Sequence, residues 1–356
     1  MKKINEFKTT GSMAMDALAK SMTGKVYNLS AGDPNIDLCD ALKETYLKAD
    51  LSKTHNYGGA QGSIDLRKRL WKRPEEVIIA NGAKQLVYES LAAVSEPGDK
   101  VLIIGPCWPS YMRICEILRL DYVLLVGDEA DGYVPSIEKV AQTLTNEFAA
   151  IVINNPNNPT GMIYSEDYLE KLHSIAIEND LWLIADEIYM FIADSDQIVM
   201  TLRGMDNVIT IDGFSKSLNI TGWRLGYAIA DKEVIKAMSL LQSQLSGAPS
   251  TLIQSIVNEA WPAIELTDFE AYRERIDLLC QIDKFKAHRP KGTFYFYLPI
   301  DDKWESSTAL CEYMIKNHNI VMVAGDDYGV ERTVRISLAF IHTDDLKEIV
   351  DKLREI

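Results

Sequence analysis

Six short apolar runs constrain this chain more than any other feature. They are Val77-Ile78-Ile79-Ala80, Val101-Leu102-Ile103-Ile104, Tyr122-Val123-Leu124-Leu125-Val126, Ala150-Ile151-Val152-Ile153, Leu181-Trp182-Leu183-Ile184-Ala185 and Val208-Ile209-Thr210-Ile211. Each is brief, rich in β-branched residues and apolar on both faces. A parallel strand sandwiched between helix layers requires that pattern. Helical patterns separate many of them, as over residues 165–179 ahead of the run at Leu181. Strand–helix alternation of this kind predicts an α/β fold with a mostly parallel sheet.

From about Asp231 the texture changes. A long helical pattern starts at Lys232-Glu233-Val234-Ile235-Lys236-Ala237-Met238. Gly292-Thr293-Phe294-Tyr295-Phe296-Tyr297 and Thr333-Val334-Arg335-Ile336-Ser337-Leu338 read as strands. The segment from Thr343 reads as an amphipathic helix, with Asp344 placed to favour its dipole. The expected organisation is an N-terminal arm and part of a small domain over residues 1–40, a large domain over 41–240, and a small α+β domain over 241–356. A length of 356 residues suits this, at roughly 150 residues per domain.

Composition excludes several classes. Hydrophobic residues at 47% and charged residues at 25% argue against disorder. Basic residues number 37 against 52 acidic, a net charge of −15, which disfavours nucleic acid and anionic membrane as partners. No apolar run approaches the roughly 18 residues that span a bilayer. No apolar stretch follows Met1-Lys2-Lys3-Ile4, so no secretory signal is read. Cys39, Cys107, Cys115, Cys280 and Cys311 form no C-x-x-C pair and fit a reducing cytoplasm. The histidines lack metal-ligand spacing, so no metal is expected. Neither a P-loop nor a G-x-G-x-x-G is present.

Ligands of α/β sheets bind beyond the carboxyl ends of the strands, so the residues just after each run carry the chemistry. Asp186 ends an apolar run in Ile184-Ala185-Asp186-Glu187-Ile188-Tyr189, where a carboxylate needs a partner to stay ionised. Its bland alternative is a helix N-cap. Asn154-Asn155-Pro156-Asn157-Asn158-Pro159-Thr160-Gly161 carries more turn-forming residues than a plain turn needs, which points to a shaped ligand loop. Lys216 sits among small residues in Asp212-Gly213-Phe214-Ser215-Lys216-Ser217, where desolvation would turn it into a nucleophile for carbonyls. Thr221-Gly222-Trp223-Arg224-Leu225-Gly226-Tyr227 follows, with Arg224 as a phosphate ligand. Gly82-Ala83-Lys84 opens a helix whose first N–H groups suit a phosphate. A lysine, a carboxylate, a helix-end cradle and an arginine are together the parts that pyridoxal phosphate requires.

At these motifs the chain resembles the class I/II aminotransferases, the fold-type I pyridoxal-phosphate enzymes. The resemblance runs from about Val26 to the C-terminus. It rests on Asn158-Pro159-Thr160-Gly161, Asp186-Glu187-Ile188-Tyr189, Ser215-Lys216, Thr221 to Tyr227, and Val334-Arg335-Ile336-Ser337, in the family's order. It implies a large domain with a mostly parallel seven-stranded sheet between helices, and a smaller α+β domain. It implies an amino acid aminotransferase working by ping-pong chemistry through pyridoxal 5'-phosphate. Lys216 resembles the lysine that bonds the cofactor aldehyde and then carries the proton between Cα and C4′. Asp186 resembles the partner of the pyridinium nitrogen, and Tyr189 and Asn158 the pair on the phenolic oxygen. Arg224, Gly82, Ala83 and Lys84 resemble the phosphate site, and Trp108 the aromatic residue stacked on the ring. Tyr57 resembles a tyrosine that reaches the phosphate of a neighbouring subunit, which implies a homodimer. Arg335 and Gly32 resemble the groups that hold the substrate α-carboxylate.

The Gly82-Ala83-Lys84-Gln85 and Pro106-Cys107-Trp108 strings look most like the bacterial aspartate aminotransferase branch. There a lysine at the position of Lys84 reads the distal carboxylate of acidic substrates. The alternative is a solvated Lys84 that contributes only its backbone. The chain also departs from the family. Position 213 is Gly where many relatives carry a phosphate-binding Ser or Thr, and Ser215 is the candidate to compensate. Ala324-Gly325 stands where Pro-Gly is frequent, and the segment from Leu66 to Pro74 is short. Asn158-Pro159 is a candidate cis bond. The rival readings are a C–S lyase, decarboxylase or synthase on the same fold, a transaminase of aromatic or neutral donors, and a non-catalytic regulator.

Overall fold

The computed structural model describes residues 11–356. The first ten residues of the expected N-terminal arm, including the segment read for a secretory signal, lie outside the described residues. All six apolar runs are strands of one seven-stranded sheet. Across it the order is Val77–Ala80, Gly226–Ile229, Val208–Gly213, Trp182–Asp186, Phe148–Asn154, Lys100–Gly105 and Asp121–Val126. The five strands from Val208–Gly213 to Asp121–Val126 run parallel. Gly226–Ile229 runs antiparallel to both of its neighbours. It was not anticipated as a strand, because its first two residues, Gly226 and Tyr227, close the motif that carries Arg224.

Helices cover both faces. Val87, Leu91, Ile235 and Met238 cover Ile78, Ile103, Ile184 and Ile209 on one side. Leu169, Leu172 and Ala176 cover Leu102, Ile151 and Leu183 on the other. The helix Glu166–Glu178 shows why the sequence folds this way. Ser165 accepts the Tyr168 N–H, Glu166 and Asp167 occupy the first turn, and Tyr168, Leu169, Leu172, Ile175 and Ala176 form one buried stripe. The helix Lys232–Leu245 starts in the same manner on Asp231. Thr251–Ala260 adds Ile256 and Val257 to the cluster around Val77, Ile79 and Tyr227.

A second core gathers around a three-stranded antiparallel sheet, ordered Val323–Ala324, Thr333–Ser337, Tyr295–Pro299. The strand expected from Gly292 starts only at Tyr295, because Thr293 adopts a positive φ of 64° and breaks the extension. Tyr27–Asn28 pairs in parallel with Ile320–Val321, which ties the N-terminal segment to this unit. The helix at Thr343 ends at Ile349, and a 3₁₀ turn at Lys352–Glu355 follows it. No helix among the described residues is long and apolar enough to cross a membrane.

Candidate active site

The carboxyl ends of four parallel strands open on one cavity of about 530 Å³, a size suited to a cofactor with its substrate. At its base, strand Trp182–Asp186 delivers Asp186 and strand Val208–Gly213 leads into Lys216. Asp186 is buried. Its carboxylate accepts the Tyr111 hydroxyl at 2.6 Å and the Ile188 N–H at 3.2 Å. Burial pushes its pKa up to about 6, against those two hydrogen bonds and with nearby Asp212 adding to the rise. The Lys216 ammonium donates to the Gly32 carbonyl at 2.5 Å. Burial pulls its pKa down to about 8, with Arg335 and Arg224 adding to the fall and Asp33 and Asp186 opposing it.

Strand Thr333–Ser337 brings in Arg335 from the small sheet, also buried. Among the described residues its guanidinium donates to neutral oxygens only: Asn158 Oδ1 at 3.2 Å and the Ser30 carbonyl at 2.5 Å. Its Nε has no hydrogen-bond partner among the described residues. A buried cation without a counter-ion is costly, and a planar guanidinium fits a carboxylate through two parallel bonds. Asn158 is held by Asn154, whose Oδ1 accepts its N–H at 2.7 Å and whose Nδ2 donates to the Asp186 carbonyl at 2.9 Å.

At the other end, helix Ala83–Val94 begins just after Gly82, which lies against the Arg224 guanidinium. Arg224 takes a left-handed conformation, φ 56°, and donates to the Thr221 and Asn81 carbonyls at 2.9 and 3.3 Å. Gly82 has φ 91°, and a Cβ there would lie 2.6 Å from the Arg224 guanidinium. Only glycine allows that approach. Trp108 forms a wall, edge-on to Tyr111 at 5.4 Å. Lys84 is exposed at the rim, its ammonium 4.8 Å from the Trp108 ring centre. Partial burial and then Arg224 lower its pKa.

The cavity wall therefore gathers Lys216, Asp186, Tyr189, Asn158, Arg224, Ala83, Lys84, Trp108, Ser215, Arg335 and Gly32. Gly82 stands just behind it. Tyr57 does not reach this cavity and is wholly exposed. Asn158-Pro159 is not cis; the cis bonds among the described residues are Gly105-Pro106 and Asn155-Pro156. Asn157 accounts for this. Its Oδ1 accepts the Thr160 N–H at 3.2 Å and its carbonyl the Gly161 N–H at 2.9 Å, a turn that a trans Pro159 fits. Tyr111 and Tyr295 are among the wall residues that escaped the sequence reading. Tyr111 holds Asp186, and the Tyr295 hydroxyl lies 3.0 Å from that of Tyr189. The spacing of Trp108 and Tyr111, one turn apart at a helix start, was the available signal for the first.

The chain matches the family described as Aminotransferase class I and II over residues 24–353. It is 29% identical to an aspartate aminotransferase of Thermotoga maritima, over 99% of this chain and 98% of that one. It is 31% identical to an aspartate/prephenate aminotransferase of Thermus thermophilus, covering 95% and 94% of the two chains. Among solved structures, the Thermus thermophilus aspartate aminotransferase with maleate superposes with a TM-score of 0.91 at 29% identity, covering 99% and 98%. An aromatic aminotransferase of Pyrococcus horikoshii gives 0.84 at 28% identity, covering 95% and 97%. The seven-stranded fold is thus that of fold type I, and the chain belongs to the class I and II aminotransferases, enzymes that move an amino group from an amino acid to a 2-oxo acid.

Proposed function

We propose that this cavity holds pyridoxal 5'-phosphate and transaminates amino acids by ping-pong turnover, with aspartate or glutamate as donor. One observation carries the reading. A lysine with a depressed pKa, a buried carboxylate and a buried guanidinium without an acidic partner among the described residues face one space. The donor set fits the cofactor. Asp186 gains a counter-charge from a pyridinium nitrogen, Trp108 offers a face for the ring, and Arg224, the amides of Ala83 and Lys84, and Ser215 receive the phosphate. When bound, pyridoxal phosphate supplies an aldehyde for the amine and an electron-withdrawing ring for the carbon next to it.

The protein's own groups do the rest. Neutral Lys216 would be the amine that holds the aldehyde and, once freed by the incoming amine, the base that takes the proton from the substrate Cα. Arg335, Asn158 and Gly32 hold the α-carboxylate, which fixes the Cα–H bond relative to Lys216. That grip favours loss of the Cα proton over loss of the carboxylate. The Tyr189 hydroxyl would serve the cofactor's phenolic oxygen. Lys84 at the rim meets the distal carboxylate of an acidic donor, in keeping with relatives named for aspartate. Asp16 and Met13 also line the mouth, which supports neutral donors as a second reading.

A homodimer belongs to the same proposal. Tyr57 is exposed, as are apolar Leu47, Leu51, Leu240 and Leu245, and Gln242 ties the helix that bears the last two to Ala60, three residues along the chain from Tyr57. The reading places the enzyme in the cytoplasm. It divides the chain into an arm, a large cofactor domain and a small domain, with the boundary expected at 240 moved past Thr251–Ala260 because that helix packs on the large sheet.

Lys216→Ala tests the core of the reading. The visible absorption that arises when cofactor bonds the lysine should vanish, and transamination should fall by about 10⁴-fold. Retention of both would end the assignment. Carbon dioxide or pyruvate released without the amino form of the cofactor would favour a decarboxylase or lyase. A donor panel in which aromatic amino acids react and aspartate and glutamate do not would remove Lys84 from its role.

A further inference from the structure

We propose that Tyr295 is a positioning residue that acts through Tyr189: its hydroxyl donates to the Tyr189 oxygen, so that the Tyr189 proton is directed to the cofactor. The inference rests on the proposed cofactor reading and assigns a residue which that reading does not use.

The geometry starts from the small sheet. Tyr295 lies opposite Ser337 and Tyr297 opposite Arg335, so Tyr295 and Arg335 are diagonal neighbours on one face. The Arg335 guanidinium stacks 4.5 Å from the Tyr295 ring centre. The Tyr189 ring meets Tyr295 edge to face at 5.8 Å, and Phe294 meets it at 4.7 Å. Gly32 approaches so closely that any Cβ there would collide with the Tyr295 hydroxyl. The ring is thus fixed on three sides, and its oxygen has a defined position 3.0 Å from the Tyr189 oxygen.

A phenol has one proton to give and two lone pairs to fill. Buried Tyr189 and Tyr295 share a single hydrogen bond, and either oxygen can be its donor. If Tyr189 gave its proton to Tyr295, it would have none for the cofactor's phenolic oxygen. With Tyr295 as donor, the Tyr189 proton is free and is polarised by the bond it accepts. Hydrogen bonds in series strengthen one another by roughly 10–30%. Arg335 also sits on Tyr295, so a carboxylate arriving at Arg335 changes the charge over the ring that steers Tyr189.

The test is the pH titration of the visible chromophore formed by cofactor and Lys216 in the holoenzyme. A stronger bond to the phenolic oxygen lowers the basicity of the linked nitrogen, so losing it raises the midpoint. Tyr295→Phe removes one oxygen and keeps the ring. Its midpoint should rise by about 0.2–0.5 pH unit. The charged groups facing this space, Arg335, Asp186, Asp33 and Arg224, are the same in both proteins. A double-mutant cycle supplies the readout that a merely structural role would not move. In a Tyr189→Phe background, Tyr295→Phe should shift the midpoint no further. An equal shift in both backgrounds, or no shift in the single variant, overturns the proposal. A wild-type protein that forms no chromophore at all would instead defeat the cofactor reading, and this inference with it.

Discussion

Asp186 and Lys216 face the same cavity, and burial drives both toward their neutral forms. For Asp186 the consequence is a stability cost. Between its ordinary pKa of 3.8 and the buried value of about 6 the folded state holds more protons than the unfolded one. Stability from this group therefore falls as pH rises through that window and stays low above it. At pH 7 the cost is about 3 kcal/mol. Asp186→Asn should raise the melting temperature of the cofactor-free protein at pH 7 to 8 and change it little near pH 4. With pyridoxal phosphate added, the order should reverse, because only the carboxylate meets a pyridinium charge. Melting curves with and without cofactor decide it; a cofactor-free variant that melts below wild type at pH 8 sinks the argument. Lys216 behaves oppositely on the pH scale: its folded pKa of about 8 lies below the ordinary 10.5, so its contribution rises with pH between the two. Both residues were picked out in the sequence by the set of strand-end motifs and the resemblance it carries rather than by their local strings, since a helix N-cap was the bland alternative for Asp186. Tyr111 and Tyr295 were not. Their roles come from partners 75 and 106 residues away, which no local pattern encodes.

At the scale of elements, strands apolar on both faces were readable from their local runs, since a buried parallel strand has no polar face to confuse it. The strand Gly226–Ile229 was hidden by its glycine. Gly226 must lack a side chain because a Cβ would lie 2.7 Å from the Ala83 nitrogen, so one residue serves both strand and cradle. What fastens the strand ends beneath Lys216 was also out of reach of the sequence. Arg203, in the loop after strand Trp182–Asp186, bonds Glu187 at 3.2 Å and Asp212 at 2.5 Å. Tyr227, from strand Gly226–Ile229, donates to the same Asp212 oxygen at 2.8 Å. Burial raises the pKa of both acids even with Arg203 present. Arg203→Leu leaves two buried carboxylates without their cation and should cost about 3–5 kcal/mol in urea unfolding. The unpaired acids then bind protons more readily when folded than when unfolded. The deficit should therefore grow from pH 5 to pH 8, and a pH-independent loss would mean that packing, not charge, fixes these strands.

For the whole molecule, the net charge of −15 and the site's demand for anions look contradictory. They are reconciled by distance along the chain: Lys84, the Lys216–Arg224 segment and Arg335 meet at one cavity, while among the described residues the only buried acids are Glu89, Asp186, Glu187 and Asp212. Tyr57 extends that logic across a subunit boundary. It is exposed in the single chain and reaches nothing in its own cavity, so under the proposed dimer it serves the partner's phosphate. The arrangement can be tested by mixing two damaged proteins. Lys216→Ala removes the nucleophile and Tyr57→Ala removes the phosphate contact, so each homodimer has two impaired sites. A hybrid has one site that combines Lys216 from one chain with Tyr57 from the other. After unfolding and refolding the two variants together in equal amounts, about a quarter of the sites should be intact. Activity at low cofactor concentration should recover to that fraction of wild type. If Tyr57 acted within its own chain, the mixture would hold no site with both residues, and activity would stay at the average of the two parents.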